Sequence, residues 1–212
     1  TELPPKVRQV VSLPRCTGAH FAWSSELRRA VEDWEKWSGV QAFQQMPPAL
    51  VQELSRIRLY DGKAKLDAAM GYIRDVILEE EDKAVVFAWH REIIDALADG
   101  LGGVKVYGGM TDAQKDEAVQ AFQHGDARVF VGQIQAAGTG LTLTAAHTVV
   151  FVELAWVPGN MTQAEDRCHR LGQTEPVRVI HLVEERSIDE RIARALVRKQ
   201  DVLDELEDNM RA

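Results

Sequence analysis

The chain of 212 residues is poor in cysteine, has no long apolar run and carries no excess of positive charge. Its two cysteines, Cys16 and Cys168, are too few for a disulfide framework, so a reducing cytosol is the simpler expectation. No apolar stretch is long enough to cross a membrane, and the segment after Thr1 lacks the basic and then apolar pattern of a signal peptide. We therefore expect no membrane partner and no secretion.

The chain also lacks a complete set of zinc ligands. Cys16 with His20, or Cys168 with His169, could form half of a site, but no second Cys-x-x-Cys or His-x-x-x-His half completes it. We predict that this chain holds no metal.

The charge balance is acidic, with a formal net charge of −8 and a pI of about 5.3. Such a balance argues against a free-standing, strongly basic nucleic-acid binder. It does not exclude a groove of opposite charge, because the net charge says little about any one face.

Two elements of nucleotide chemistry are missing as well. The sequence contains no Gly-x-x-x-x-Gly-Lys-Ser/Thr loop, and no Asp-Glu-x-His pair follows an apolar strand. No Gly-x-Gly-x-x-Gly follows the first apolar strand, which makes a dehydrogenase-like nucleotide domain the weakest alternative.

The pattern that is present alternates short apolar strands with helices, which predicts an α/β fold: a doubly wound parallel sheet with helices on both faces. Residues 60–212 form this domain, and residues 1–59 form a linker and helical lead-in that includes an extended segment at 6–13. We expect a break at Asp61-Gly62, a capping box at Thr111 and Gln114, and a helix from Asn160 to about Arg170. The predicted strands cover residues 84–89, 104–107, 128–132, 148–153 and 177–183, and a last helix runs from 187 to about 206.

Two loops after predicted strands carry side chains suited to phosphate. Residues 133–146 read QIQAAGTGLTLTAA, where small residues allow close approach and threonine hydroxyls can bind phosphate. Residues 160–173 read NMTQAEDRCHRLGQ, where Arg167 and Arg170, three apart, share one face of the predicted helix with Gln163. Read without further context, these arginines would pair with Glu165 and Asp166.

The string QAEDRCHRLGQ resembles the last motif of superfamily-two helicases, and is most similar to the Swi/Snf family with its Q-A-x-x-R-x-H-R-x-G-Q pattern. Segments at 85–97, 106–123, 136–146 and 149–160 resemble other motifs of that family in the family's order, and most resemble its annealing-helicase branch. LPPKVRQVVSLP resembles the segment that joins the family's two lobes. Lys115, where arginine is usual, and Thr142, where asparagine is common, depart from the pattern.

The resemblance implies a RecA-like C-terminal lobe of a DNA-dependent ATPase and translocase, in the nucleus or the bacterial nucleoid. It implies ATP as cofactor, with Mg²⁺ held by an N-terminal lobe that this chain lacks, and DNA as a partner contacted through its backbone. By its motifs, Arg167 and Arg170 are catalytic arginine fingers, Gln163, Gly138 and Gly140 are near ATP, and Gly108, Gly109, Thr139 and Thr142 face DNA.

Two other functions stay open at this point. An RNA helicase lobe is the first, although DEAD-box proteins more often end this motif in G-R-x-G-R than in Gly172-Gln173. The second is a non-catalytic interaction module that kept the fold and lost the motor.

Overall fold

The protein is described by a computed structural model covering residues 3–14, 24–36, 47–155, 158–185, 187, 189–194 and 196–197. Six strands form one sheet: β1 (Lys6–Leu13), β2 (Ala84–Ala88), β3 (Val104–Val106), β4 (Val129–Gln133), β5 (Thr148–Phe151) and β6 (Val177–Glu184). The helices are α1 (Ser25–Lys36), α2 (Pro48–Ala64), α3 (Leu66–Tyr72), α4 (Arg91–Leu101), α5 (Asp112–Gln123) and α6 (Pro158–Glu165). A π-helical turn (Ile73–Ile77) and a short turn (Leu78–Glu80) extend α3, a 3-10 helix (Ile134–Thr139) follows β4, and residues 189–194 and 196–197 are helical.

The sheet has the strand order β1-β6-β5-β2-β4-β3, and all its paired strands run parallel. Helices cover both faces, because the alternate residues of each strand enter two separate apolar clusters. One cluster joins Phe87, Phe130 and Phe151 to α1, α2, α5, α6 and the last helix. The other joins Val86, Val131 and Val150 to α3 and α4. The predicted RecA-like doubly wound fold is confirmed, and no described helix combines the length and hydropathy that a bilayer crossing needs.

Strand β1 shows that the extended segment at the start of the chain is part of the sheet. It pairs with β6 along its whole length, from Lys6 opposite Val177 to Leu13 opposite Glu184. The lead-in is therefore joined to the domain that follows it, and the division at residue 60 stays a prediction. The Cys16 and His20 pair and the end of the last helix, predicted near 206, lie outside the described residues.

Helix α2 corrects the predicted break at Asp61-Gly62. The helix continues to Ala64 through both residues, which are buried. A Cβ atom at Gly62 would lie 3.1 Å from the Glu153 carboxylate, so glycine here serves close packing and does not end the helix. The capping box of α5 is present as predicted, with Thr111 accepting from the Gln114 amide.

A buried ion pair fastens the junction of α2 and α3 to the last helix. Lys65 is fully buried, and its Nζ lies 2.7 Å from the Asp189 carboxylate and donates to the Leu182 carbonyl at 3.0 Å. Each charge would be costly to bury alone, so the two residues depend on one another.

Replacing Lys65 by methionine should lower the free energy of unfolding by about 3–5 kcal/mol, because the buried Asp189 carboxylate would lose the cation to which it is bonded. Adding Asp189→Leu should recover most of this loss. Lys63→Met is the matched control, since Lys63 and its partner Glu92 are mostly exposed and such pairs contribute at most about 1 kcal/mol. Urea denaturation of the four proteins measures the difference, and equal losses for Lys63→Met and Lys65→Met would contradict the assignment.

Candidate functional site

The carboxyl ends of the parallel strands meet at one edge of the sheet, and Gln133 joins three of them. Its side-chain oxygen accepts from the Gly108 amide at 2.9 Å, and its Nε2 donates to the Trp89 carbonyl at 3.1 Å. Gly109 has a φ of +92°, a left-handed conformation that favours glycine. Gln133 thus fixes the turn of the predicted Gly108-Gly109 pair, which follows the edge strand β3.

A buried carboxylate, that of Glu153, organises the centre of the same edge. It accepts from the backbone amides of Trp89 and His90 at 2.9 and 2.8 Å and lies 2.6 Å from His90 Nδ1. His90 Nε2 lies 3.2 Å from the Ser55 hydroxyl, which adds α2 to the group. Burial alone raises the pKa of the Glu153 carboxyl, but the bonds and charge of His90 and the charge of Arg58 outweigh it and leave that pKa below its ordinary value.

The predicted helix from Asn160 to Arg170 is shorter than expected at its carboxyl end. Helix α6 begins at Pro158 and ends at Glu165, so Asn160 is not its N-cap and both predicted arginine fingers lie in the turn that follows. The Glu165 carbonyl accepts from the amides of Cys168 and His169 at 3.0 and 3.1 Å, which closes this turn. The prediction that a shared helix face brings the two arginines together is therefore wrong, because neither arginine lies in the helix.

The turn nevertheless places the predicted phosphate-binding side chains around one groove. Gln163, Arg167 and Arg170 line an open groove of about 490 Å³, and Leu3, Asp166, His169 and Leu171 complete its lining. The groove is within the size range of small-ligand sites in proteins. Gly108 and Gly109 are not among its lining residues.

Arg167 is the less satisfied of the two arginines. Its Nε is buried and has no hydrogen-bond partner within the described part of the chain. Burial lowers the pKa of Arg167, the nearby charge of Arg170 lowers it further, and Asp166 opposes both effects. A guanidinium so placed would be stabilised by an anion in the groove.

Arg170 is bonded to the loop after the 3-10 helix. Its Nη1 lies 3.4 and 3.2 Å from the Gly140 and Leu141 carbonyls and 3.1 Å from the Thr142 hydroxyl. Gly140 has a φ of +76°, which again favours glycine. Thus the structure brings two further predicted residues, Gly140 and Thr142, to Arg170, while Gly138 and Thr139 lie in the 3-10 helix that leads from β4 to this loop.

The residues that hold this arrangement in place were not predicted from the sequence. Gln173 Nε2 donates to the carbonyls of Ala146 and Cys168 at 3.0 and 3.3 Å, and the Leu143 amide donates to the Arg167 carbonyl at 2.9 Å. These bonds join the loop at 140–146 to the turn at residues 166–170 that carries Arg167 and Arg170, called the arginine turn below. The only signal for them in the sequence is that glutamine ends the motif.

Neither arginine is hydrogen-bonded to Glu165 or Asp166, the acidic residues that the sequence alone suggested as partners. The Glu165 carboxylate is bonded to Arg8 and Lys6 of β1, and the Asp166 carboxylate to Lys6. Both arginines therefore remain beside the groove without a direct carboxylate bond among the described contacts.

Comparison with known proteins identifies the family and the fold of the chain. The family described as "Helicase conserved C-terminal domain" matches residues 65–172. The chain is 34% identical over 208 residues to the DNA annealing helicase and endonuclease ZRANB3 of Homo sapiens, covering 95% of this chain and 19% of that protein. It is 36% identical over 156 residues to the SWI/SNF-related matrix-associated actin-dependent regulator of chromatin subfamily A-like protein 1 of Drosophila melanogaster, covering 71% of this chain and 20% of that protein.

A solved structure has the same fold. The C-terminal part of the Fun30 ATPase domain superposes with a TM-score of 0.65 at 16% identity, covering 98% of this chain and 99% of that one. The chain spans about a fifth of the length of the human and fruit-fly relatives.

Replacing Glu153 by glutamine should lower the free energy of unfolding at pH 7 by about 1–3 kcal/mol, because an amide cannot accept all the bonds now donated to the carboxylate. The lowered pKa also makes the carboxylate's contribution pH-dependent: it is present above the unfolded pKa of about 4.3 and is lost as pH falls through the lower folded value. The variant should lack this acid-dependent part. Denaturation from pH 7 to pH 3 tests it against Glu92→Gln, an exposed control, and an unchanged pH profile in Glu153→Gln would contradict it.

Proposed function

The chain belongs to the family of helicase conserved C-terminal domains, in its Swi/Snf-related branch, and we propose that it is the second lobe of a DNA-dependent ATPase. In this proposal the whole protein uses ATP to move along DNA or remodel it. Because the chain spans about a fifth of its relatives, it would supply only part of that activity. An N-terminal lobe would supply the remainder of the motor.

The observation that supports the proposal most directly is the pair of arginines beside an open groove. Arg167 and Arg170 line it together, with one guanidinium nitrogen of Arg167 buried and unpartnered among the described residues. Two planar guanidinium groups suit a chain of phosphates, because each can donate two parallel hydrogen bonds to phosphate oxygens. Gln163, on the last turns of α6, adds an amide to the same groove.

ATP is the ligand that this donor set and the family both favour. When bound, ATP would supply the phosphoryl group that is transferred to water, and Mg²⁺ would neutralise its phosphates. The described residues contain no group of three His, Cys, Asp or Glu that could hold a metal ion, so we assign Mg²⁺ to the N-terminal lobe. In this chain Arg167 and Arg170 would stabilise the charge that develops on the transferred group.

The proposed DNA contacts lie at two places in the loop system. Gly108 and Gly109 would face the DNA backbone after β3, and Thr139 and Thr142 would face it from the segment that follows β4. This proposal is supported by a continuous stretch of chain. Gln133 binds the Gly108 amide, and the residues that follow it lead to Thr142, whose hydroxyl Arg170 contacts. One short segment therefore joins the proposed DNA side to the proposed ATP side.

Because the arginines stand on one lobe and the phosphates on the other, they would meet only when the lobes close. Their contribution would then belong to the transition state more than to ground-state binding, so it should appear in kcat. Opening and closing of the cleft would shift one lobe along the DNA relative to the other.

We expect the chain by itself to show no DNA-stimulated ATP hydrolysis, because a phosphate loop and metal-binding acids are absent from its sequence. A phosphate-release assay with duplex and forked DNA measures this. Turnover in the range of roughly 1–100 per second, typical of kinases, would contradict the assignment of these groups to another lobe. A stronger response of the two-lobe protein to duplex RNA than to DNA would instead support an RNA helicase.

In the two-lobe protein, Arg167→Ala should lower kcat by a factor on the order of 10³ or more while changing the Kd for DNA little, as expected of an arginine finger. Arg167→Lys should recover only part of the loss, because lysine cannot form the bidentate fork. Arg170→Ala should also lower kcat, and should disturb DNA stimulation as well, because Arg170 holds the loop at 140–142.

Arg74→Ala serves as the control for these substitutions. Arg74 is an exposed arginine on the π-helical turn that donates to the Gly100 carbonyl, remote in the fold from the groove. It should keep normal turnover. An Arg167→Ala protein that melts normally and keeps more than about a tenth of wild-type turnover would show that Arg167 is not a finger, since tenfold is only about 1.4 kcal/mol of barrier.

A further inference from the structure

Alternate residues at the start of the chain contact the arginine turn one after another. The Pro4 carbonyl lies 2.6 Å from His169 Nε2, Lys6 Nζ lies 3.0 Å from Asp166 Oδ1, and Arg8 Nη2 lies 2.8 Å from Glu165 Oε2. In an extended strand, the side chains of residues two apart point to the same side, so the Lys6 and Arg8 side chains share a face that contacts the turn carrying Arg167. The Pro4 carbonyl adds a backbone contact to the same turn.

The opposite hydrogen-bonding edge of the same segment is joined to the sheet. The Pro5 carbonyl accepts from the Val177 amide at 3.0 Å, and β1 then pairs with β6 over its full length. The basic side chains are consequently presented from a fixed backbone. A fixed backbone is what a positioning contact requires.

The bond between Arg8 and Glu165 is the anchor of this contact. Both side chains are buried, and Arg8 approaches the carboxylate with two nitrogens, its Nε at 3.2 Å and its Nη2 at 2.8 Å. Glu165 is the last residue of α6, and its carbonyl closes the turn through Cys168 and His169. Fixing Glu165 thus fixes the point from which the arginine turn departs.

The bond between Lys6 and Asp166 has an electrostatic consequence. Asp166 lines the groove beside Arg167, and its negative charge raises the pKa of that arginine. Asp166 is half-exposed, so its carboxylate is held by the bond to Lys6 more than by packing. Lys6, at 3.0 Å, provides a competing cation, and also lies 3.4 Å from Glu165.

We propose that Lys6 and Arg8 are positioning residues for the arginine site: they bind Glu165 and Asp166 and thereby leave Arg167 available to phosphate. This inference rests on the proposed function of the groove and adds to it the role of the lead-in strand. Asp166 is the carboxylate whose charge acts on Arg167, and it would compete with the phosphate for that arginine. Lys6 binds the Asp166 carboxylate, and Arg8 binds Glu165 at the point where the turn begins.

The first test replaces Lys6 in the two-lobe protein. Lys6→Gln should lower kcat for DNA-stimulated ATP hydrolysis about two- to fivefold, the factor to which the roughly 0.4–1 kcal/mol of an exposed ion pair converts. Adding Asp166→Asn should return kcat to within about twofold of the Asp166→Asn protein, because no competing charge is left. Lys6→Arg should stay near wild type, since it keeps the cation.

The second test addresses the anchor. Arg8→Gln should lower kcat more than tenfold, and the loss should be relieved by Glu165→Gln but not by Asp166→Asn. Val7→Thr is the matched control on the same strand, because the Val7 side chain is 56% exposed and points away from the turn. A melting curve for each protein separates loss of turnover from loss of folding.

Two results would overturn the inference. The first is normal kcat in Lys6→Gln and Arg8→Gln proteins that fold. The second is a loss in Lys6→Gln that tracks the melting temperature and that Asp166→Asn does not relieve, since a merely structural role would not respond to the removal of one competing charge. Arg167→Ala, assayed in parallel, separates the two levels: full turnover in that variant refutes the proposed function itself, whatever the Lys6 series shows.

Discussion

Because all six strands run parallel, every strand delivers its carboxyl end to one edge of the sheet, and the rest of the molecule follows from this constraint. Both faces of such a sheet are covered by helices, and ligands of open parallel sheets bind outside the carboxyl ends of the strands. At the carboxyl edge the chain leaves the ladder and its backbone amides need new partners. Glu153 and Gln133 supply them from side chains, for the Trp89, His90 and Gly108 amides.

The strands and most helices could be predicted because their signals are local. A continuous apolar run such as residues 84–88 is buried on both sides, and the capping box at Thr111 is formed within four residues. The predicted break at Asp61-Gly62 was wrong because a distant contact decided the outcome: Gly62 lies inside a helix, where Glu153, far along the chain, leaves little room for a larger residue. The pairing of β1 with β6, some 170 residues later, is likewise a contact that no local pattern contains.

Only part of the geometry of the candidate site could be predicted from the sequence. The three-residue spacing of Arg167 and Arg170 indicated one shared environment, which the groove agrees with, but the expected helix ends at Glu165. The difference has a physical cause, since the turn is closed by backbone bonds to the Glu165 carbonyl and by Gln173. The helix propensity of the residues in this segment does not reveal such contacts. The chemical roles of Arg167 and Arg170 stay predictions, as do the roles of Gly108, Gly109, Gly138 and Thr139.

The acidic net charge of the chain and the basic character of the groove are compatible because charges are compensated locally. The two carboxylates that precede Arg167 in the sequence, those of Glu165 and Asp166, are bonded to Lys6 and Arg8. Four basic groups therefore face two acidic ones around the turn, although the sequence as a whole has −8. Proximity in the sequence alone would have paired the two arginines with the acidic residues of the same motif. The fold reassigns those neighbours to a strand at the opposite end of the sequence, and this reassignment leaves positive charge where a phosphate chain would bind.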